Sequence, residues 1–131
     1  MKQIILYFVT LFTIVLFDIT WFKFSSSFYG KELGYIFGEK MNFIPAIIFY
    51  IIYAFGILYF VINPVIASEG SYIKALVIGA FFGLIAYGTY DFTNHATIKD
   101  WPIIVTIVDI IWGMFVTGIV STIVFFIANR I

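Results

Sequence analysis

Four long apolar stretches in the sequence restrict the chain to a membrane-spanning fold. The second stretch, from about Phe43 to Ile62, contains no charged residue, and about 20 apolar residues cross a bilayer as an α-helix. The other three stretches are about Ile4–Phe22, Tyr72–Phe92 and Pro102–Ala128. Transmembrane β-barrels need short alternating segments instead. The sequence therefore predicts an all-α membrane protein, with four transmembrane helices in a single domain that covers residues 1–131.

The composition indicates lipid-facing surface and excludes several classes of function. Hydrophobic residues make up 63% of the chain and charged residues 11%, whereas soluble domains are about half apolar and a quarter charged. The formal net charge is zero, so no basic surface is available to neutralise the phosphates of a nucleic acid. The chain has no cysteine, which excludes disulfide bonds and thiol catalysis. Membrane lipid is the partner that this composition predicts.

The connections between the apolar stretches predict an antiparallel bundle. The second and third connections, NPVIASEGSYIK and TNHATIKDW, are short, and short connections make sequential helices antiparallel neighbours. The first, FKFSSSFYGKELGYIFGEKMN, is expected to form an interfacial turn or a short amphipathic helix. The N-terminal stretch has the charge pattern of a signal peptide, but Asp18 and the lack of an A-x-A site favour a retained first helix. Basic residues divide almost evenly between the two sides, so the membrane orientation stays open.

Three acidic residues, Asp18, Asp91 and Asp109, lie inside the predicted spans. An ionised carboxylate at the bilayer centre costs roughly 2.5–3.5 kcal/mol, so three such residues indicate specific partners or a function. The first and third helices end on the membrane face where the fourth begins. At about 1.5 Å per residue, all three acids lie within roughly 10 Å of that face. The sequence therefore predicts one polar site in a single leaflet.

Helical spacing predicts that two of these acids face each other, because residues four apart share a helix face. The row that contains Asp91 consists of Gly79, Gly83, Tyr87 and Asp91. The row that contains Asp109 consists of Asp109, Gly113, Thr117 and Ser121. Small residues let membrane helices approach closely, so we expect the third helix to pack on the fourth along these rows. The tetrapeptides FDIT (17–20) and YDFT (90–93) occupy equivalent helix ends, which raises the hypothesis of a two-plus-two repeat.

Other candidate site residues surround the three acids: Trp21, Tyr87, Asn94, His95 and Trp112. Each tryptophan follows an acid by one helical turn. His95 is the only histidine, and it is either a loop residue at the headgroup level or an acid–base or metal-ligating group. Since no paired ligand motif accompanies it, we predict no metal and no cofactor.

Four further residues have simpler expected roles. Tyr50 and Tyr53 are expected to pack, although either hydroxyl could point inward. Asn42, like Asn94, is expected to lie near the mouth of the site and to hydrogen-bond the acids, and Asp100 is expected to cap the fourth helix before Trp101-Pro102.

The segment YGTYDFTNHATIKDWP, followed closely by TIVDIIWG, resembles a family of small bacterial integral-membrane proteins catalogued as domain of unknown function 2177. The resemblance extends over essentially the whole chain and includes Asp18 and Trp21. It implies a four-helix, multi-pass protein of the bacterial inner membrane. It implies no activity.

Three functional hypotheses follow from these patterns. The leading one is a polar pocket, in one leaflet, that binds or translocates protons or a small polar or amphipathic ligand. Transport would need a homodimer, because four helices enclose little volume. The second is a membrane enzyme acting on a lipid or isoprenoid, with Asp91, His95 and Asp109 as acid–base groups. The third is a structural or partner-binding subunit, in which internal hydrogen bonds satisfy the acids and no cavity is present.

Overall fold

The computed structural model describes residues 1–38 and 40–131, and within these ranges the chain folds into long helices without any strand. The helices are α1 (Lys2–Leu33), α2 (Phe43–Ala67), α3 (Tyr72–Thr97) and α4 (Ile103–Ala128). Each is long and apolar enough to cross a membrane. Large side chains such as Phe12 and Leu16 are exposed on the outer surface, where lipid would cover them. The predicted all-α membrane fold is confirmed.

Helix α1 is longer than the sequence suggested. It was expected to end at Phe22, but it continues through the three serines as far as Leu33. No proline interrupts this part of the chain, and Leu33 is buried against Trp101 and Val105. At about 1.5 Å per residue, α1 is roughly 48 Å long and exceeds the hydrocarbon thickness of about 30 Å. Its C-terminal part therefore extends beyond the apolar layer and packs on the turn between α3 and α4.

Helix α2 also continues past its predicted end. The predicted stretch ended at Ile62 and Asn63-Pro64 began the predicted connection, yet the helix runs to Ala67. A π-helical turn over Leu58–Ile62 comes directly before the proline. This wider turn suits a proline, which donates no backbone hydrogen bond and whose ring collides with the carbonyl four residues earlier. The helix therefore absorbs Pro64 without ending.

Two residues near helix starts differ from their predicted roles. Asn42 caps α2, since its side chain accepts a hydrogen bond of 3.2 Å from the Ile44 backbone N–H. It does not bond to the acids. Asp100 is not the N-cap of α4, because that position belongs to Pro102. The Asp100 backbone instead adopts a left-handed conformation with φ of 59°, which acidic and amide residues tolerate better than most.

Helices α3 and α4 are packed closely along the predicted rows. A Cβ atom added to Gly79 would lie only 2.7 Å from the Ser121 Cβ, and one added to Gly113 would overlap the Tyr87 ring. A Cβ on Gly83 would overlap the Gly113 carbonyl. Only glycine permits these approaches. The predicted pairing of α3 with α4 is confirmed, and its antiparallel register puts Asp91 opposite Asp109.

The remaining core joins α1 and the C-terminal half of α2 to α4. Its fully buried members include Leu6, Ile14, Val61, Val116, Val120 and Val124. The Tyr53 hydroxyl lies 2.6 Å from the Thr117 hydroxyl, and this pair connects α2 to α4 within the core. The N-terminal half of α2 packs on α1, whereas α3 and α4 are approached mainly by the π-helical turn. This arrangement leaves a groove between the N-terminal half of α2 and the α3–α4 pair. The two-plus-two repeat stays a prediction.

Candidate functional site

A groove of about 1180 Å³ lies between α1, the N-terminal half of α2 and the α3–α4 pair. Its walls are mostly apolar and include Phe22, Leu33, Phe37, Met41, Phe43 and Ile47. Two of the three acids, Asp18 and Asp109, also line it. Lysine, arginine and histidine are missing from the described lining. The groove is therefore apolar in most of its extent, with carboxylates as its only formally charged groups.

Asp18 is the acceptor at the centre of a hydrogen-bond network that involves all four helices. The Trp112 indole N–H donates to its Oδ1 over 2.8 Å. The Tyr50 hydroxyl donates to its Oδ2 over 2.5 Å, and the Tyr87 hydroxyl lies 3.4 Å from the same oxygen. Hydrogen bonds to a carboxylate are stronger than those between neutral groups. Asp18, on α1, is thus fixed by side chains from α2, α3 and α4.

Asp109 is half-buried and is held from α1. The Tyr29 hydroxyl donates to its Oδ1 over 3.0 Å. Among the described residues, no donor bonds to its Oδ2. An ionised carboxylate can accept about four hydrogen bonds, so Asp109 retains acceptor capacity in the lining of the groove, whereas Asp18 already accepts from three side chains.

Asp91 is the most deeply buried of the three acids, with an exposed fraction of 0%. Neither of its carboxyl oxygens accepts a hydrogen bond from a donor in the described chain. The α3–α4 register, in which Gly83 and Tyr87 meet Gly113, places Asp91 opposite Asp109 one turn further along. Asp91 is not part of the groove lining, so it lies behind Asp109 as seen from the groove.

Trp21 and Trp112 form an aromatic wall beside Asp18. Their rings are stacked with 4.5 Å between the centroids, and Tyr29 packs edge-on against Trp21. Both tryptophans also line a smaller apolar pocket of about 380 Å³, together with Phe24 and Phe115. The stacked pair thus separates the groove from a second opening between α1 and α4.

His95 belongs to a different network. Its Nδ1 lies 3.1 Å from the Thr106 hydroxyl, which also accepts a hydrogen bond of 3.0 Å from the Trp101 indole. His95 does not line the groove, and neither does Asn94, which is half-buried one turn after Tyr90. No group of three or more acidic, histidine or cysteine side chains in the described chain is arranged to hold a metal.

The four long apolar helices are those of a membrane protein, and a comparison of the sequence with known families agrees with this. The profile of the family described as "Predicted membrane protein (DUF2177)" matches residues 3–126. The chain belongs to this family. Neither the curated proteins nor the solved structures contain a match to it.

In this member of the DUF2177 family, sequence reasoning missed Tyr29 and gave an inward-pointing Tyr50 hydroxyl only as the alternative to packing. Tyr29 was placed in a loop because α1 was expected to end at Phe22. Extending the helical spacing from Asp18 would have placed Ser25 and Tyr29 on the same face. Tyr50 was expected to pack, and its ring does contact Phe49, but its hydroxyl points to Asp18.

Proposed function

We propose that the protein binds an amphipathic molecule whose polar group carries a positive charge or donates hydrogen bonds. The observation that carries this proposal is the groove of about 1180 Å³, which contains two carboxylates and no cationic side chain in its described lining. An anionic headgroup such as a phosphate would meet only like charge there. A primary amine or a hydroxyl on an apolar body complements the lining.

The position of the acids narrows the ligand further. Asp18 lies roughly 22 Å from Leu33 along the axis of α1, at about 1.5 Å per residue. Tyr50 bonds to Asp18, and Phe43 and Ile47, which precede Tyr50 on the antiparallel α2, line the groove toward the level of Leu33. The polar group of the ligand would therefore lie deeper in the groove than these apolar side chains, measured from the end of the groove at Leu33. A bilayer phospholipid in its usual orientation keeps its headgroup at the surface, so a single-chain amine or alcohol is the better fit.

Asp109 is the acceptor that we assign to the ligand. Both oxygens of Asp18 already accept hydrogen bonds from protein donors, whereas Tyr29 is the one hydroxyl or N–H donor to Asp109 among the described residues. Asp109 also lines the groove. Asp18 then serves to hold the four helices around the site, together with Trp112 and Tyr87.

The test uses the full-length protein in nanodiscs of phosphatidylcholine and three fluorescent probes that share one alkyl chain. The chains end in a primary amine, a hydroxyl or a carboxylate. We expect the amine to bind about tenfold more tightly than the carboxylate, as a charge-assisted hydrogen bond to a partly buried acid predicts. Asp109→Asn should remove most of this preference.

Asp100→Asn is the matched control, because it removes the same charge from an exposed turn outside the groove. This variant should bind all three probes as the parent does. Equal affinity of the parent for the three probes would overturn the proposal. The proposal would also be wrong if Asp109→Asn and Asp100→Asn changed the affinity for the amine by the same amount.

Two other hypotheses receive less support from the geometry. An enzyme with His95 as an acid–base group would need the imidazole in the groove, but the imidazole bonds to Thr106 instead. A purely structural role for the acids predicts no cavity and satisfied carboxyl groups, whereas a groove is present and Asp91 has no donor among the described residues. We propose binding rather than translocation, because the half of the spans nearer the α2–α3 turn contains no acid.

A further inference from the structure

The burial of Asp91 calls for a chemical explanation. Its side chain is completely buried between α3 and α4, and an isolated ionised carboxylate in such a place is very costly. Buried carboxylates are usually stabilised by hydrogen-bond donors or by a nearby cation. The described chain supplies neither, because both oxygens lack a donor and the charged group opposite is another carboxyl.

The titratable groups around Asp91 come from three helices. Asp109 faces it from α4, Tyr29 on α1 bonds to Asp109, and Tyr90 precedes Asp91 on α3. None of these three is cationic, and the imidazole of His95, one turn after Asp91 on α3, has Thr106 as its Nδ1 partner. Two adjacent carboxyl groups in a low-dielectric site cannot both ionise, so they hold at least one proton between them.

Asp91 and Asp109 differ in burial and in hydrogen-bond donors, and this difference decides which of them holds the proton. Asp109 is half-buried, lines the groove and accepts from Tyr29. Asp91 has no exposure and no donor in the described chain. The ionised form is therefore far better accommodated at Asp109. A proton on Asp91 also converts it from an unsatisfied acceptor into a donor to the facing carboxylate.

We propose that Asp91 is a proton-binding site: it remains protonated and donates a hydrogen bond to Asp109, so that Tyr29 and Asp91 together aim the Asp109 carboxylate at the groove. Asp91 is in this sense a positioning residue for the ligand. The positioning role of Asp91 rests on the ligand binding proposed above. The proton itself is a property of the protein without any ligand.

Infrared spectroscopy of the protein in nanodiscs at neutral pH tests the proton directly. The parent should show the C=O stretching band of a protonated carboxyl group, and the band should shift in deuterium oxide. Asp91→Asn should abolish it, whereas Asp100→Asn should retain it. A parent without the band, or a band that persists in Asp91→Asn, would overturn the proposal.

Ligand affinity tests the positioning role separately. Asparagine replaces the protonated acid with a neutral donor of the same shape, so Asp91→Asn should bind the amine probe within about threefold of the parent. Asp91→Leu removes the donor and should weaken binding about tenfold, the effect expected for a hydrogen bond to a charged group. If Asp91→Asn bound as weakly as Asp109→Asn, Asp91 would act as an anion and the proposal would be wrong.

The two proposals fail in different ways. If the carboxyl band depends on Asp91 but none of the probes binds, the proton site stands and the ligand proposal is wrong. If the amine binds through Asp109 but the parent shows no such band, the ligand proposal stands and the proton site is wrong. Asp91→Leu could fail to fold, and the infrared comparison with Asp91→Asn does not depend on it.

Discussion

The Trp21 and Trp112 rings are nearly parallel, with 8° between their planes and 4.5 Å between their centroids. Both rings lie beside Asp18, but only Trp112 donates a hydrogen bond to it. In the interaction with Asp18, Trp21 therefore contributes packing, and Trp112 contributes packing and a charge-assisted hydrogen bond. This difference can be measured.

Replacing each tryptophan with phenylalanine should separate these contributions. Trp21→Phe weakens an aromatic stack, which is worth about 0.5–1.5 kcal/mol. Trp112→Phe also removes a hydrogen bond to a carboxylate, worth about 1.5–3 kcal/mol, and should reduce stability more. The free energy of unfolding in mixed micelles checks the order. In double-mutant cycles, Asp18→Asn should couple to Trp112→Phe but not to Trp21→Phe, and the reverse pattern would contradict the geometry.

The glycines between α3 and α4 should tolerate no side chain. Gly113→Ala places a Cβ in the Tyr87 ring, and Gly83→Ala places one against the Gly113 carbonyl. Overpacking of this kind typically costs about 1–3 kcal/mol, and each variant should unfold at a lower temperature. Gly30→Ala is the matched control, because nothing lies within 4 Å of its added Cβ. Equal effects of Gly30→Ala and Gly113→Ala would contradict the close packing of these two helices.

The Tyr50 hydroxyl should matter through Asp18. Tyr50→Phe removes its hydrogen bond and should destabilise the protein by about 1.5–3 kcal/mol, since the acceptor is a partly buried carboxylate. Tyr59→Phe provides the control on the same helix, because Tyr59 is exposed. Thermal unfolding of the two variants checks the prediction. Loss of stability in Tyr59→Phe alone would argue against the network around Asp18.

The C-terminal part of α1 should depend on one buried leucine. Leu33 packs on Trp101 and Val105, and Leu→Ala substitutions in packed sites cost about 2–5 kcal/mol. We expect Leu33→Ala to detach this part of α1 and to accelerate amide hydrogen exchange over residues 24–33. Ile36→Ala, at an exposed position, should leave the exchange unchanged. Slow exchange in both variants would show that this part of the helix is held by other contacts.

The sequence predicted the parts of the fold that depend on local pattern. Apolar length located the four helices, and the spacing of small residues identified the faces on which Gly79 meets Ser121 and Tyr87 meets Gly113. Both features repeat along one helix and can therefore be recognised without tertiary information. Their consequence, the juxtaposition of Asp91 and Asp109, followed directly.

The parts that were missed depend on contacts between distant segments. Lys23 and the three serines after it would suit a helix end, and only the docking of Leu33 on Trp101 explains why α1 continues. Tyr29 was lost from the site for the same reason. A tyrosine such as Tyr50 suits either packing or hydrogen bonding, and its hydroxyl partner lies on another helix. The role of Asp100 was wrong because the chain turns there in a left-handed conformation.

The network around Asp18 has a consequence for how the protein is made. Its donors Tyr50, Tyr87 and Trp112 all lie later in the chain, so α1 leaves the ribosome before Trp112 has been synthesised. An ionised acid in a lone membrane helix costs roughly 2.5–3.5 kcal/mol near the bilayer centre. That cost persists until α4, with Trp112, has been synthesised. Stable insertion of the first helix thus depends on completion of the last, and a prematurely truncated chain would expose an acid to lipid.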